Sequence, residues 1–431
     1  MTPHETLALA AGWFALFLIL GQNVATVLMG TGLVGIWVLM GPRIFDGLLA
    51  QDVIFSASSY SLSIVPLYLL MAQFLLRGRV VEDLFLVGYR LAGQRRFPLG
   101  AATIVSGGML GAVSGSGAAT AAALATMASP QLQAVGYTQR FSIAVAAVAG
   151  SLSAIIPPSI IMIIYGSLTL VPVGHLFIGA LLPGLVCVGV YIACVHMFSE
   201  VSPPSDAGSA PATPSGGAVA AFIFVIGLMT VVFGGIYGGV VTAAEAGGLG
   251  AFAALIGMLA MRRIGVRDIF QALGDSVKVT SMLMLIVIGA QVFGRFLSLS
   301  RAPRELLAFA EPLLAQPGVL VAILLLVFFL FGLFLESAAV MVLLIPIIMP
   351  LLAAAQIDLL WFGVMACFMI SLGLLTPPVG LSTYAACAAA GVPVAPIFRR
   401  TAKFALAAAV VVTLLMAFLP EIVTWLPRQM N

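Results

Sequence analysis

Residues 150–159 read GSLSAIIPPS and residues 373–380 read GLLTPPVG. Each sets two consecutive prolines inside a long apolar run. The doublets lie 220 residues apart, Pro157 with Pro377 and Pro158 with Pro378. A proline removes a backbone donor and clashes with the preceding turn, so a doublet breaks a helix. The same offset carries Pro130 onto Pro350 and Ser116 onto Glu336. It also sets the small-residue stretch Ser114-Gly115-Ser116-Gly117 beside Glu336-Ser337. Two copies of one break in a very apolar chain predict a membrane transporter built of two related halves.

Composition agrees. The 431 residues are 62% hydrophobic and 8% charged, with a mean hydropathy of +1.21. A soluble domain carries about 25% charged residues. Runs such as 218–237 are long enough to span a bilayer as helices. They do not alternate polar and apolar residues as barrel strands do. The fold class is therefore an all-α polytopic membrane protein. Cys187, Cys194, Cys367 and Cys387 sit in apolar runs with no metal-type spacing, and the three histidines form no cluster. The net charge of +3 is carried by short loops and implies no nucleic-acid partner. No basic stretch precedes the first apolar run, so no cleavable signal peptide is expected.

The apolar runs fall at 6–20, 24–41, 57–76, 99–129, 140–170, 176–198, 218–237, 239–261, 277–297, 319–352, 362–390 and 404–420. Residues 199–217, SEVSPPSDAGSAPATPSGG, read as a flexible linker between the halves. Basic residues cluster at Arg77–Arg96, at Arg262–Lys278 and at Arg399–Lys403. All three clusters are expected to be cytoplasmic. They fall on one side only if 99–129 and 319–352 are re-entrant hairpins entering from opposite faces. Both termini then lie outside the cytoplasm. The plainer reading of 99–129, a small-residue packing face, leaves the matching element unexplained.

The polar residues in these segments are few. Prolines 157 and 158 free backbone carbonyls that must find partners at membrane depth. A hard cation such as Na⁺ suits carbonyls together with the Ser114 and Ser116 hydroxyls. A healed proline kink is the alternative. Glu336 costs about 2.5–3.5 kcal/mol at a bilayer centre, so it should cap a helix near Ser337 or meet a cation. Half-helices starting near Ala118 and Ala338 would point positive ends inward, which favours an anionic substrate. Arg295 is either a carboxylate partner or an interfacial arginine. Glu245 reads as a cap that braces close-packed helices. No P-loop, catalytic triad or metalloprotease signature is present, so no enzymatic activity is expected.

Four stretches carry a resemblance: 114–166, GGIYGGVVTAAEAGG (234–248), 332–350 and FGVMACFMISLGLLTPPVGLSTY (362–384). With SLSIVPLYLLMAQFL they resemble, in order, the large membrane subunit of TRAP (tripartite ATP-independent periplasmic) transporters. The chain departs from that pattern at Ala243, Ala244, Glu336, Ser153, Met369 and Arg295.

The resemblance implies an elevator-type transporter of inverted repeats, with two re-entrant hairpins and two broken helices. It implies an N-terminal scaffold and arm (1–98), a first transport repeat (99–175), scaffold helices with linker and second arm (176–318), a second transport repeat (319–393) and a C-terminal helix (394–431). One sodium site would use Ser114, Ser116, Ser153, Ile156 and Pro158. The other would use Gly332, Glu336, Gly373, Thr376 and Pro378. Gly117, Thr120, Ser159, Arg295 and Ser337 are the candidate substrate contacts. The expected cargo is Na⁺ with a small organic acid (a four-carbon dicarboxylate, a keto acid or a sugar acid), and no organic cofactor is implied. The expected partners are a small four-helix membrane subunit and a periplasmic substrate-binding protein, in a bacterial inner membrane. A stand-alone sodium/anion symporter and, remotely, an intramembrane enzyme remain as alternatives.

Overall fold

The computed structural model describes residues 3–41, 54, 58, 60–93, 95–203 and 216–430. Among them nineteen α-helices and two short 3₁₀ turns form, and no strand. The first half holds α1 (Pro3–Ile19), α2 (Val24–Met40), α3 (Ile64–Arg77), α4 (Val80–Ala92), α5 (Arg96–Ser114), α6 (Gly117–Ala134), α7 (Gln139–Ser151), α8 (Ile160–Thr169) and α9 (Val173–Met197). The second holds α10 (Gly216–Tyr237), α11 (Ala243–Ala260), α12 (Val266–Leu299), α13 (Ala302–Leu314), α14 (Pro317–Gly332), α15 (Ser337–Ala354), α16 (Leu359–Gly373), α17 (Leu381–Ala390) and α18 (Ala395–Phe418). A last helix, α19 (Glu421–Arg428), has no counterpart. Six helices among the described residues are long and apolar enough to cross a membrane.

The 220-residue offset extends far beyond the prolines. It brings each of α1–α9 onto its counterpart in α10–α18 to within a few residues, except that α12 runs on well before the match to α3. Packing repeats as well. Helix α2 lies along α12 and α11 along α3; α6 lies on α17 and α15 on α8; α5 lies on α7 and α14 on α16. Each half thus packs key helices on the other half, so the halves interlock.

Local chemistry explains the helix ends. Thr242 and Glu245 form a reciprocal capping box at the start of α11, with Thr242 N donating to Glu245 Oε2 at 2.7 Å and Glu245 N to Thr242 Oγ1 at 3.3 Å. Glu245 is thus a helix cap, as its position suggested. The amphipathic α4, α13 and α19 escape a search for apolar runs, because their charged faces dilute the signal. The same dilution hides the first eleven residues of α12, where Arg267, Asp268 and Asp275 fall.

The linker expectation needs a correction at its start. Residues 204–215 lie outside the described residues, but 199–202 are held. Thr138 N donates to Glu200 O at 2.9 Å and Ser202 N to Gly136 O at 3.0 Å. The Glu200 carboxylate accepts from Arg400 Nη2 at 2.6 Å. A charged anchor and two backbone bonds outweigh the Pro/Ser composition there.

Candidate functional site

The first hairpin turns through Gly115, whose φ of +65° is the left-handed value that glycine adopts without strain. Ser116 follows in extended conformation and caps α6, its side chain accepting from Ala119 N at 3.4 Å. Behind the turn, Ser114 Oγ shares a hydrogen bond of 2.7 Å with Thr120 Oγ1 and accepts from Ser116 N at 3.3 Å. The second hairpin turns through residues 333–336. Glu336 is extended and caps α15, its Oε2 accepting from Ala338 N at 2.9 Å. The two half-helices therefore begin one residue earlier than expected, at Gly117 and Ser337, and their caps are the residues that the offset superimposes.

The helices that face the hairpins are broken as the proline doublets require. Helix α7 passes through a 3₁₀ turn over Leu152–Ala154 before α8, and α16 stops at Gly373 before α17. Both doublets hold cis bonds, Pro157–Pro158 and Pro377–Pro378. Part of the carbonyl debt is met from within the chain. Ser159 Oγ donates to Ala154 O at 3.0 Å, Thr376 Oγ1 to Leu372 O at 2.8 Å, and Thr383 and Thr401 Oγ1 to Leu375 O at 3.2 and 2.9 Å. These breaks thus have partners within the chain besides any cation.

Both tips open on one cavity of about 350 Å³. Ser114, Ser116, Gly117, Ser153, Glu336 and Ser337 line it, so one residue set from each repeat meets there. Its far wall is made by Leu69, Gln73 and Leu76 of α3 with Val279, Met282 and Leu283 of α12. Gln73 was missed in the sequence. Its signal was available, as a lone amide in the otherwise apolar stretch IVPLYLLMAQFLL.

The remaining candidates lie elsewhere. Pro158 lines a small adjoining cavity with Ser114 and Gly115. Gly332 and Gly373 meet backbone to backbone, since a β-carbon on Gly373 would stand 2.6 Å from Gly332 C. Ile156, Thr376 and Pro378 do not line the tip cavity. Neither does Thr120, which is buried behind the tip, nor Ser159, whose hydroxyl turns into its own break. Arg295 is also absent from it. It lines a separate cavity of about 800 Å³ with Gln291, Gly294, Ser298 and Pro346. In this conformation Arg295 stands away from the tips: α12 rises about 1.5 Å per residue, which sets Arg295 roughly 24 Å along the helix from Val279.

Two capped half-helices from interlocked repeats thus meet at one cavity against α3 and α12, the arrangement expected of a transporter built of two related halves. Comparisons with known proteins agree. The chain is 28% identical over 380 residues to the C4-dicarboxylate TRAP transporter large permease protein DctM of Pseudomonas aeruginosa, covering 86% of this chain and 87% of that one. It is 27% identical over 411 residues to the ectoine TRAP transporter large permease protein TeaC of Halomonas elongata, covering 95% and 96%. Its fold is similar to that of the YdaH transporter of Alcanivorax borkumensis, with a TM-score of 0.70 at 12% identity over 94% of this chain and 98% of that one. Residues 11–422 match the family described as the tripartite ATP-independent periplasmic transporter, DctM component. The chain belongs to that family, the large permeases of TRAP transporters.

Proposed function

We propose that this chain is the permease of a sodium-coupled importer of a small organic acid. One observation carries the reading: Ser116 and Glu336, superimposed by the repeat, cap two half-helices whose N-termini open on one cavity. Helix N-termini favour an anion. Hydroxyls, carbonyls and one carboxylate favour a hard cation. A site offering both suits an anion carried with Na⁺. The first cation would use Ser114, Ser116 and Ser153 with nearby carbonyls, and the second Glu336 with the turn from Gly373 to Thr376. The family supplies the expected partners, a small membrane subunit and a periplasmic binding protein. Relatives named for C4-dicarboxylate and for ectoine leave the substrate open within small organic acids.

The proposed mechanism is an elevator. Helices α5–α8 and α14–α17 form the moving unit, and α1–α3 with α10–α12 form the scaffold. Helices α4 and α13 are arms that bridge to the hairpins. Helices α9 and α18, first assigned outside the transport repeats, pack on α5, α7, α8 and α16 and so join the moving unit. The tip cavity is lined by Leu76 and Val279, the chain neighbours of Arg77 and Lys278 in the first two basic clusters. With basic loops cytoplasmic and termini periplasmic, this is the inward-facing state of an inner-membrane protein.

The test is uptake into proteoliposomes with both partners added and an imposed sodium gradient. Uptake should require the gradient, and Ser116→Ala combined with Thr376→Ala should weaken sodium activation at least about tenfold. Uptake that ignores sodium would sink the coupling. Full activity without partners would favour the stand-alone symporter, and turnover of substrate by the purified chain would favour an enzyme.

A further inference from the structure

The second proline break is lined by hydroxyls, and all but one have a carbonyl partner. Thr376, Thr383 and Thr401 each donate to Leu372 O or Leu375 O. Ser382, on the first turn of α17, is wholly buried. Its Oγ has no hydrogen-bond partner among the described residues. Its backbone is fixed, since Ser382 N donates to Leu374 O at 3.1 Å. A buried hydroxyl left unpaired costs about 1–3 kcal/mol, so an orphan beside satisfied neighbours points to a ligand.

The hydroxyl faces the other repeat. A β-carbon built on Gly117 would lie 3.0 Å from Ser382 Oγ, 3.2 Å from Ser153 Oγ and 3.3 Å from Gly150 O. Three oxygens from α17, from the turn after α7 and from the end of α7 thus lie within 3.3 Å of the place a β-carbon on Gly117 would take, beside the hairpin tip. Glycine at 117 keeps that point free of side chain. Gly117 and Ser153 also line the tip cavity, so the cradle adjoins it. The donor set is neutral: a carbonyl from the last turn of α7 and two hydroxyls, beside the first turns of α6 and α17. A carbonyl and hydroxyl oxygens suit a hard monovalent cation.

We propose that Ser382 is a ligand of the cation held at the first hairpin, contributed by the second repeat. The inference rests on the sodium-coupled reading above and deepens it. The second half then completes a site of the first, and release of that cation loosens the contact between α6 and α17.

The full-length chain in detergent provides the test. Its thermal unfolding midpoint is titrated with NaCl, with choline chloride holding ionic strength constant. The wild-type chain should gain a sodium-specific rise. Ser382→Ala should move the half-saturating concentration up at least about fivefold, and Ser382→Thr should restore it. Gly117→Ala, which crowds the cradle, should move the half-saturating concentration up at least as far as Ser382→Ala while the chain stays monodisperse, and the sodium response of the site at Glu336 should remain. A Ser382→Ala titration that overlays the wild type overturns the assignment, as does a variant that loses only substrate affinity at saturating sodium. Absence of any sodium-specific rise in the wild-type chain overturns the coupled reading as well, so the two failures are distinct.

Discussion

The first hairpin tip turns through Gly115 and Ser116 and caps its inner helix with a neutral hydroxyl; the second turns through Leu333–Glu336 and caps with a carboxylate. Both solve the same problem, since the first amides of a half-helix at membrane depth need an acceptor. The backbone requirement is shared, and the charge is not. A cation near the second tip faces a formal charge. One near the first faces only dipoles and, by the assignment above, a hydroxyl borrowed from the opposite repeat. Interlocked halves can therefore hold two chemically different sites in one symmetric frame.

The difference is steepest where the hairpin arms touch the broken helices. In the second repeat Gly332 and Gly373 meet backbone to backbone, and a β-carbon on Gly373 would stand 2.6–2.9 Å from Gly332 C, Cα and O. In the first repeat Ser153 stands at the position of Gly373 and already carries a β-carbon. Room is made by Gly111 on the facing arm, where an added β-carbon would meet Ser153 Cα at 2.7 Å. Gly373→Ser should therefore cost at least about 1–3 kcal/mol as an overpacked contact. It should read as a lowered unfolding midpoint or as aggregation in size-exclusion chromatography. Ser153→Gly should stay folded, at a cost of about 1 kcal/mol or less. Equal behaviour of the two variants would remove the proposed division of space.

The caps give the next largest contrast. Removing either by Ser116→Ala or Glu336→Ala should cost about 0.5–2 kcal/mol of stability. Transport should separate them. Glu336→Ala also removes the charge, so half-saturation by sodium should rise at least about tenfold more than in Ser116→Ala, a difference near 1.4 kcal/mol. Glu336→Gln keeps an acceptor for Ala338 N and removes only the charge. If that variant binds sodium like the wild type, the carboxylate serves only as a cap.

Much of this frame was legible in the sequence because prolines and glycines report backbone geometry directly. The doublets marked the breaks, and Glu336 was legible as a cap, whereas Ser116, which the offset superimposes on it, read only as a cation ligand. Side-chain targets were less legible, because they depend on which helix lies opposite. Ser159 occupies a motif position yet spends its hydroxyl on Ala154 O within its own break. Arg295 reads as a lone membrane charge, but its place on the long α12 carries it away from the tips. Ser382 gave no local signal at all. Its interest arises only because the second half lays α17 on α6 of the first.

The finest contrast concerns a pair of serines that the offset superimposes, Ser151 and Ser371. Both are buried on the last turns of α7 and α16. Ser151 Oγ donates to Val148 O of its own helix at 2.8 Å, whereas Ser371 Oγ donates across the repeat interface to Ser151 O, also at 2.8 Å. A helix-internal bond of this kind competes with backbone bonds already made and adds little. The bond across the interface satisfies a carbonyl at the end of α7 that the broken helix leaves short of donors. Ser371→Ala should therefore destabilise the chain by about 1 kcal/mol or slightly more, and Ser151→Ala by less. Comparison of their thermal midpoints in detergent checks the order. If Ser151→Ala proved the costlier change, the link between the halves would lie in packing alone, and the single hydrogen bond between superimposed positions would carry no part of it.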